Sequence, residues 1–255
     1  EIAQCLVGSE MCIRDRRKRY VFLVLLGLLL IFAAFIRLSH VSYSSQDYEE
    51  YPMMDDMDFD QAAYNEQANE YLQENEVTTP LYLQTNEEWA DYSYGSDGTQ
   101  TLSDNGCALL SLSMVLAYLR EDNVSPLEVL DWAQDSYYVD GQGTDWRIFS
   151  DFADSFGYSY HDLGTDTAQV ANYLAVGQPV IVSVTSGDFT DTGHIMVLAA
   201  MQDENVVVLD PNDTPEKKHY LTSYSLEEIA AQSLHFWTFT AVSYTHLRAH
   251  ETLSD

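Results

Sequence analysis

The apolar pattern of the chain changes once, near Val180, and that change limits the fold more than any other feature. Before it, apolar residues recur at helical spacing. One helix is expected over residues 107–119. A second opens at Ser125-Pro126-Leu127-Glu128, with a serine cap, proline at the first helical position and glutamate closing a capping box. A third starts at Thr144-Asp145-Trp146 and stops at Gly157, and a fourth runs from Asp166-Thr167 to Gly177. After Val180 the apolar residues form short runs: 180–185, 194–201, 206–210 and 235–241, with a short helix at Ser225-Leu226-Glu227-Glu228. Helices followed by closely spaced strands predict an α+β fold with an antiparallel sheet, not alternating α/β. No internal repeat is visible.

This pattern occupies residues 79–241, an ordinary size for one domain. It holds a single cysteine, Cys107, in Asp104-Asn105-Gly106-Cys107 at the head of the first apolar helix. Most lone cysteines are small core hydrophobes. A thiol in the first turn of a helix is different, because the free N–H groups and positive end of the dipole favour thiolate over thiol. Two strand ends supply matching chemistry. Gly193-His194-Ile195-Met196-Val197-Leu198 opens a strand with an imidazole, and Val206-Val207-Val208-Leu209-Asp210 closes one with a carboxylate. A histidine can serve as base for a thiol, and a carboxylate can fix the histidine's tautomer.

Ahead of this domain, Arg16, Arg17, Lys18 and Arg19 precede an uncharged apolar stretch over residues 20–36, with Arg37 after it. That length is the short end of a membrane span, and the basic flank predicts a cytoplasmic N-terminus. Ala33-Ala34 followed by Phe35-Ile36-Arg37 makes a poor signal-peptidase site, so an uncleaved signal-anchor over 16–40 is expected. Residues 41–78 read as an acidic stalk, with a short helix over 61–74. Residues 1–15 and 242–255 fit no element and are expected to be non-native. They hold the other two cysteines, Cys5 and Cys12.

Residues 41–240 carry four basic side chains, Arg120, Arg147, Lys217 and Lys218, against thirty-six acidic ones, a net charge near −32. Such a surface excludes nucleic acid and anionic lipid as partners. Neither cofactor nor metal is expected. Phosphate-binding glycine loops are absent, His161, His219 and His235 lack ligand spacing, and one thiol cannot build a zinc site.

The order of these motifs is specific. Gly-Cys opens an apolar helix, and Gly143-Thr144-Asp145-Trp146 starts another. Gly193-His194-Ile195-Met196-Val197-Leu198, the Asp210-Pro211-Asn212 turn and a terminal Phe236-Trp237 strand follow. Together they resemble the papain-like cysteine peptidases of the bacteriocin-leader-processing (double-glycine peptidase) superfamily, in its extracellular membrane-anchored branch, over about residues 81–241. The resemblance implies a Cys107–His194–Asp210 triad and a peptide or protein substrate. It also implies an oxyanion-binding glutamine upstream of the cysteine. Leu83-Gln84-Thr85-Asn86-Glu87-Glu88-Trp89 fits that stretch, so Gln84 is chosen and Gln100 is the reserve. The expected function is a membrane-anchored extracellular cysteine peptidase. A non-catalytic papain-fold binding module and a cell-wall peptide hydrolase stay open as alternatives.

One geometric expectation follows. For His194 and Asp210 to stand directly opposite on successive antiparallel strands, the turn must be centred on Gln202, with a loop over 200–204. The two Cβ atoms would then be about 4.5–5.5 Å apart. A tighter turn on Asp203-Glu204-Asn205 would put Asp210 opposite Leu198, out of reach.

Overall fold

In the computed structural model, which describes residues 60–242, the chain folds as a six-stranded antiparallel sheet covered by helices on both faces. The elements in order are α1 (Gln61–Glu74), α2 (Leu102–Asn105), α3 (Cys107–Arg120), α4 (Pro126–Ala133), β1 (Tyr138–Val139), β2 (Gly143–Thr144) and α5 (Arg147–Phe156). Then come β3 (Tyr158–Gly164), α6 (Thr167–Leu174), β4 (Val180–Val184), β5 (His194–Gln202) and β6 (Asn205–Leu209). A 3-10 turn (His219–Leu221), β7 (Tyr224–Ser225), α7 (Leu226–Ala230) and β8 (Ser233–Ala241) complete the chain. Strand order is β3-β8-β4-β5-β6-β7, and every neighbouring pair is antiparallel.

Two apolar layers flank the sheet. On one side α1, α3, α4 and α5 pack on Ile181, Ile195, Val197, Leu209, Trp237 and Phe239. On the other, Val170 and Leu174 of α6 and Ile229 of α7 cover Val180, Val182, Met196, Leu198, Val208 and Phe236. Burial on both faces explains why β4 is a continuous apolar run rather than an alternating one.

The expected class, α+β with an antiparallel sheet, is found. Its clean division into helices and then strands is not. Strand β3 lies between α5 and α6 and closes the sheet edge against β8. Cys107 is preceded by a helical turn, α2, closed by a Thr101–Asp104 capping box. At α4, Ser125 caps Leu127 N–H and Pro126 takes the first helical position as read. Glu128 closes no box there. It forms a bidentate pair with Arg120 at 2.8 and 2.9 Å, because the last turn of α3 brings a guanidinium within reach.

The stalk boundary also needs correction. Helix α1 forms over Gln61–Glu74 as expected, yet it is part of the domain. Tyr64, Ala68 and Leu72, spaced four apart on one face, are buried in the core. Asn69 locks the helix to the chain that follows, accepting from Leu81 N–H (2.8 Å) and donating to Leu81 O (2.9 Å). Among the described residues no helix is long and apolar enough to cross a membrane. The expected anchor at 16–40, most of the stalk and the leader segment lie outside the described residues, as does the tail beyond Val242.

The β5–β6 turn differs from both alternatives. Gln202 pairs with Asn205 across Asp203 and Glu204, with Asp203 at φ 55°. Continued unbroken, that register would set Asp210 opposite Val197, on the face away from His194. A β-bulge between Leu198 and Ala200 shifts the pairing by one, to Val197↔Leu209. One residue further on, Asp210 faces Met196 and shares a side with His194. The pair is diagonal rather than directly opposite, a spacing that a histidine ring can bridge.

Candidate active site

Cys107 is the first residue of α3, partly exposed. No side chain caps this helix end. Gly106 between α2 and α3 is required sterically. Its φ of −77° is open to any residue, but a Cβ there would lie 2.4 Å from Leu102 O and 3.0 Å from Leu110 Cδ2. This close approach lets α2 run into α3 and fixes where the thiol emerges. Ser111, one turn on, reaches Ile195 O at 3.4 Å, tying α3 to the strand that carries the histidine.

His194 opens β5 and pairs across the sheet with Val184. Its Nε2 lies 2.5 Å from Asp210 Oδ1, and the Cys107 side chain adjoins the ring. Burial disfavours the charged imidazole, but hydrogen bonding and charge from Asp210 and Cys107 outweigh it and raise the His194 pKa to about 10. Both partners thus favour the charged form of the ring. Asp210 is wholly buried. Burial pushes its carboxyl pKa up. The His194 hydrogen bond and charge, the Lys217 charge and the Asn212 N–H together push it further down, so the net shift is downward. Asn212 N–H donates to Asp210 Oδ1 at 2.7 Å, and the Asp210-Pro211-Asn212 turn thus orients its own carboxylate.

Gln84 is buried and stitched between the halves of the site. Its backbone N–H donates to Pro211 O (2.7 Å), and its Nε2 donates to Ser103 O (2.6 Å), four residues before the thiol. An amide NH₂ has two donors, and Ser103 O takes one of them. Gln100 is placed otherwise: its side chain packs against Gly95. Of the two upstream glutamines, Gln84 is the one connected both to the Asp210 turn and to α2, the helical turn that precedes Cys107.

Sequence reading missed three residues around the carboxylate. Lys217 Nζ lies 3.5 Å from Asp210 Oδ2 and donates to Asn212 O at 2.7 Å. His219 Nε2 lies 3.6 Å from the same oxygen, and Tyr224 OH lies 2.6 Å from His219 Nδ1. In sequence His219 stands nine residues after Asp210, and nothing local marks it as a neighbour of that carboxylate. A cavity of about 380 Å³ adjoins the imidazole, lined by residues 187–192, His194, Asn212 and Lys217.

The fold is that of a papain-like cysteine peptidase. The chain belongs to the Peptidase_C39-like family, whose model matches residues 76–240. No curated protein matches it. Solved structures similar to it include the peptidase domain of Streptococcus ComA, a bifunctional ABC transporter involved in quorum sensing. That domain is 19% identical, with a TM-score of 0.42, covering 54% of this chain and 93% of that one. A putative C39-like peptidase from Bacillus anthracis is 15% identical, TM-score 0.44, covering 66% and 97%. A double-glycine-motif protease from an AMS/PCAT transporter, solved with its leader peptide, is 18% identical, TM-score 0.39, covering 53% and 84%.

Proposed function

We propose that this chain is a membrane-anchored extracellular cysteine peptidase that cleaves peptide bonds through Cys107, His194 and Asp210, with Gln84 at the oxyanion. One observation carries the reading: an imidazole adjoining a helix-start thiol on one side and bonded to a buried carboxylate at 2.5 Å on the other.

In this reading the Cys107 sulfur attacks the scissile carbonyl carbon, and a C–S bond forms as the carbonyl becomes an oxyanion. The Cys107 N–H and the spare Gln84 N–H stabilise that oxyanion. As the C–N bond breaks, His194 gives its proton to the departing amine. Water then attacks the thioester, His194 takes its proton, and the acid product leaves with the thiol restored. Asp210 holds the ring orientation and offsets the imidazolium charge throughout.

The anchor rests on the basic run Arg16–Arg19, the uncharged stretch that follows it and the acidity of everything beyond. Two experiments test the proposal. Cys107→Ser should abolish peptide hydrolysis while circular dichroism and melting stay as in the wild type; retained turnover would remove the nucleophile. Protease shaving of intact cells should release the domain, and recovery of the whole chain from the soluble cytoplasm would remove the topology.

A further inference from the structure

We propose that His219 is a positioning residue for this site, holding Asp210 Oδ2 from the side opposite His194. The inference rests on the Cys107–His194–Asp210 reading and extends it by one shell.

The carboxylate of Asp210 is supplied unevenly. Oδ1 accepts from His194 Nε2 (2.5 Å) and Asn212 N–H (2.7 Å). Oδ2 has Lys217 Nζ at 3.5 Å, and that ammonium is committed to Asn212 O at 2.7 Å. A buried carboxylate has about four acceptor positions to satisfy. The second polar atom aimed at Oδ2 is His219 Nε2, at 3.6 Å. It is buried, and no hydrogen-bond partner occupies it.

The far side of the ring sets its tautomer. Tyr224 OH lies 2.6 Å from Nδ1. A phenol donating there places the ring proton on Nε2, facing Asp210. The result is two imidazoles converging on one carboxylate: Tyr224 O–H donates to His219 Nδ1, His219 Nε2–H points at Asp210 Oδ2 across 3.6 Å, and His194 Nε2–H donates to Asp210 Oδ1. Phe189 packs on the His219 ring at 5.2 Å and Asp213 accepts the His219 backbone N–H at 3.1 Å, so the ring has little freedom to turn. Closing the 3.6 Å gap to ordinary hydrogen-bond length needs a shift of roughly half an ångström, and catalytic hydrogen bonds commonly tighten once substrate is bound.

The charges around His219 come from each packed element. Asp210 directly follows β6, Asp213 and Lys217 lie on the same loop, His194 opens β5, and Tyr224 belongs to β7. Helix α1 contributes Tyr64, which hydrogen-bonds Asp213. Burial lowers the His219 pKa. The two carboxylates oppose this, and Lys217 and His194 reinforce it, so the ring is a neutral donor at neutral pH. A neutral N–H on a buried carboxylate stabilises its ionised form, so losing it should move the acid limb of activity to higher pH.

The test measures peptide hydrolysis across pH for the full chain and its His219→Ala, His219→Gln, Tyr224→Phe and Cys107→Ala variants, with folding followed by melting. His219→Ala should lower kcat about tenfold, leave KM within about twofold and raise the acid limb by about one pH unit. Glutamine keeps an N–H at the position of Nε2, so His219→Gln should recover most of kcat and the wild-type limb. Tyr224→Phe should fall between wild type and His219→Ala. A folded His219→Ala enzyme with wild-type kcat and acid limb would overturn the proposal, as would a folded His219→Gln no better than alanine. Should His219→Ala not fold, ¹⁵N-histidine NMR of the wild type decides. An Nε2–H tautomer at His219 supports the proposal and an Nδ1–H tautomer overturns it. Turnover retained in Cys107→Ala would instead sink the peptidase reading beneath it.

Discussion

Gly106→Ala separates backbone preference from steric fit at the point where the nucleophile is placed. Gly106 has φ −77° and ψ −1°, ordinary helical values. On unfolded-chain entropy alone, alanine there should stabilise by about 0.4–1 kcal/mol, because these angles are open to it. The added Cβ, however, would sit 2.4 Å from Leu102 O and 3.0 Å from Leu110 Cδ2. The first contact is with backbone, which cannot rotate aside. Relieving it must part α2 from α3 by a sizeable fraction of an ångström, and overpacking of this kind costs about 1–3 kcal/mol. Sterics should therefore win, with a net loss of up to about 2 kcal/mol, or several degrees in Tm for a domain this size. Because Cys107 is the next residue, the same displacement misplaces the thiol, and a shift near 1 Å costs about 10²-fold in rate. Thermal melting and steady-state hydrolysis measure the two effects together. A variant as stable as the wild type, with unchanged kcat, would refute the reasoning.

Gln84→Ala should lower kcat by about 10²–10³-fold with a small effect on KM, as expected of an oxyanion donor, whereas Gln100→Ala should leave kinetics unchanged; steady-state assays on both variants distinguish them. The raised His194 pKa fixes a pH dependence. Its contribution to stability is complete below the unfolded value of about 6.5 and is lost as pH rises through about 10, so the stability difference between wild type and His194→Gln should shrink over that window in melting experiments. Asp210 has the opposite sign: its lowered pKa stabilises above the unfolded value and that contribution is lost in acid, so Asp210→Asn should flatten the acid side of the stability curve. Leu72 is almost fully buried on α1, and Leu72→Ala should destabilise by about 2–5 kcal/mol in chemical denaturation; a change near zero would return α1 to a stalk.

The elements legible in sequence are those with local punctuation. Ser125-Pro126 starts α4, Gly157 in the left-handed region stops α5, Asp166 caps α6 and Ser225–Glu228 boxes α7. The three proposed triad residues were visible because each sits at an element terminus beside a long apolar run. The parts missed depend on partners distant in sequence. Strand β3 mixes tyrosines with polar residues, and among the described residues it pairs with β8 alone, from Tyr158↔Ala241 to Gly164↔Phe236. The bulge at Ala199 has no local sign, since nothing in Leu198-Ala199-Ala200 distinguishes a shifted register from a regular one. Helix α1 carries a three-residue apolar stripe, Tyr64, Ala68 and Leu72, that the surrounding acidic stretch concealed. His219 was invisible as a neighbour of Asp210 because a loop folds it back, and a loop's path is set by what it packs against.

In the proposed triad His194 and Asp210 activate the Cys107 thiol. The rate of Cys107 alkylation by iodoacetamide near neutral pH reads this out, in the wild type and in His194→Ala, with both proteins shown to be folded. A free cysteine is only a few per cent thiolate at neutral pH, so pairing with an imidazolium leaves room for an acceleration of about tenfold or more. The wild type should alkylate faster than His194→Ala by about that factor, with Asp210→Asn in between. Equal rates in wild type and His194→Ala would refute the triad's role.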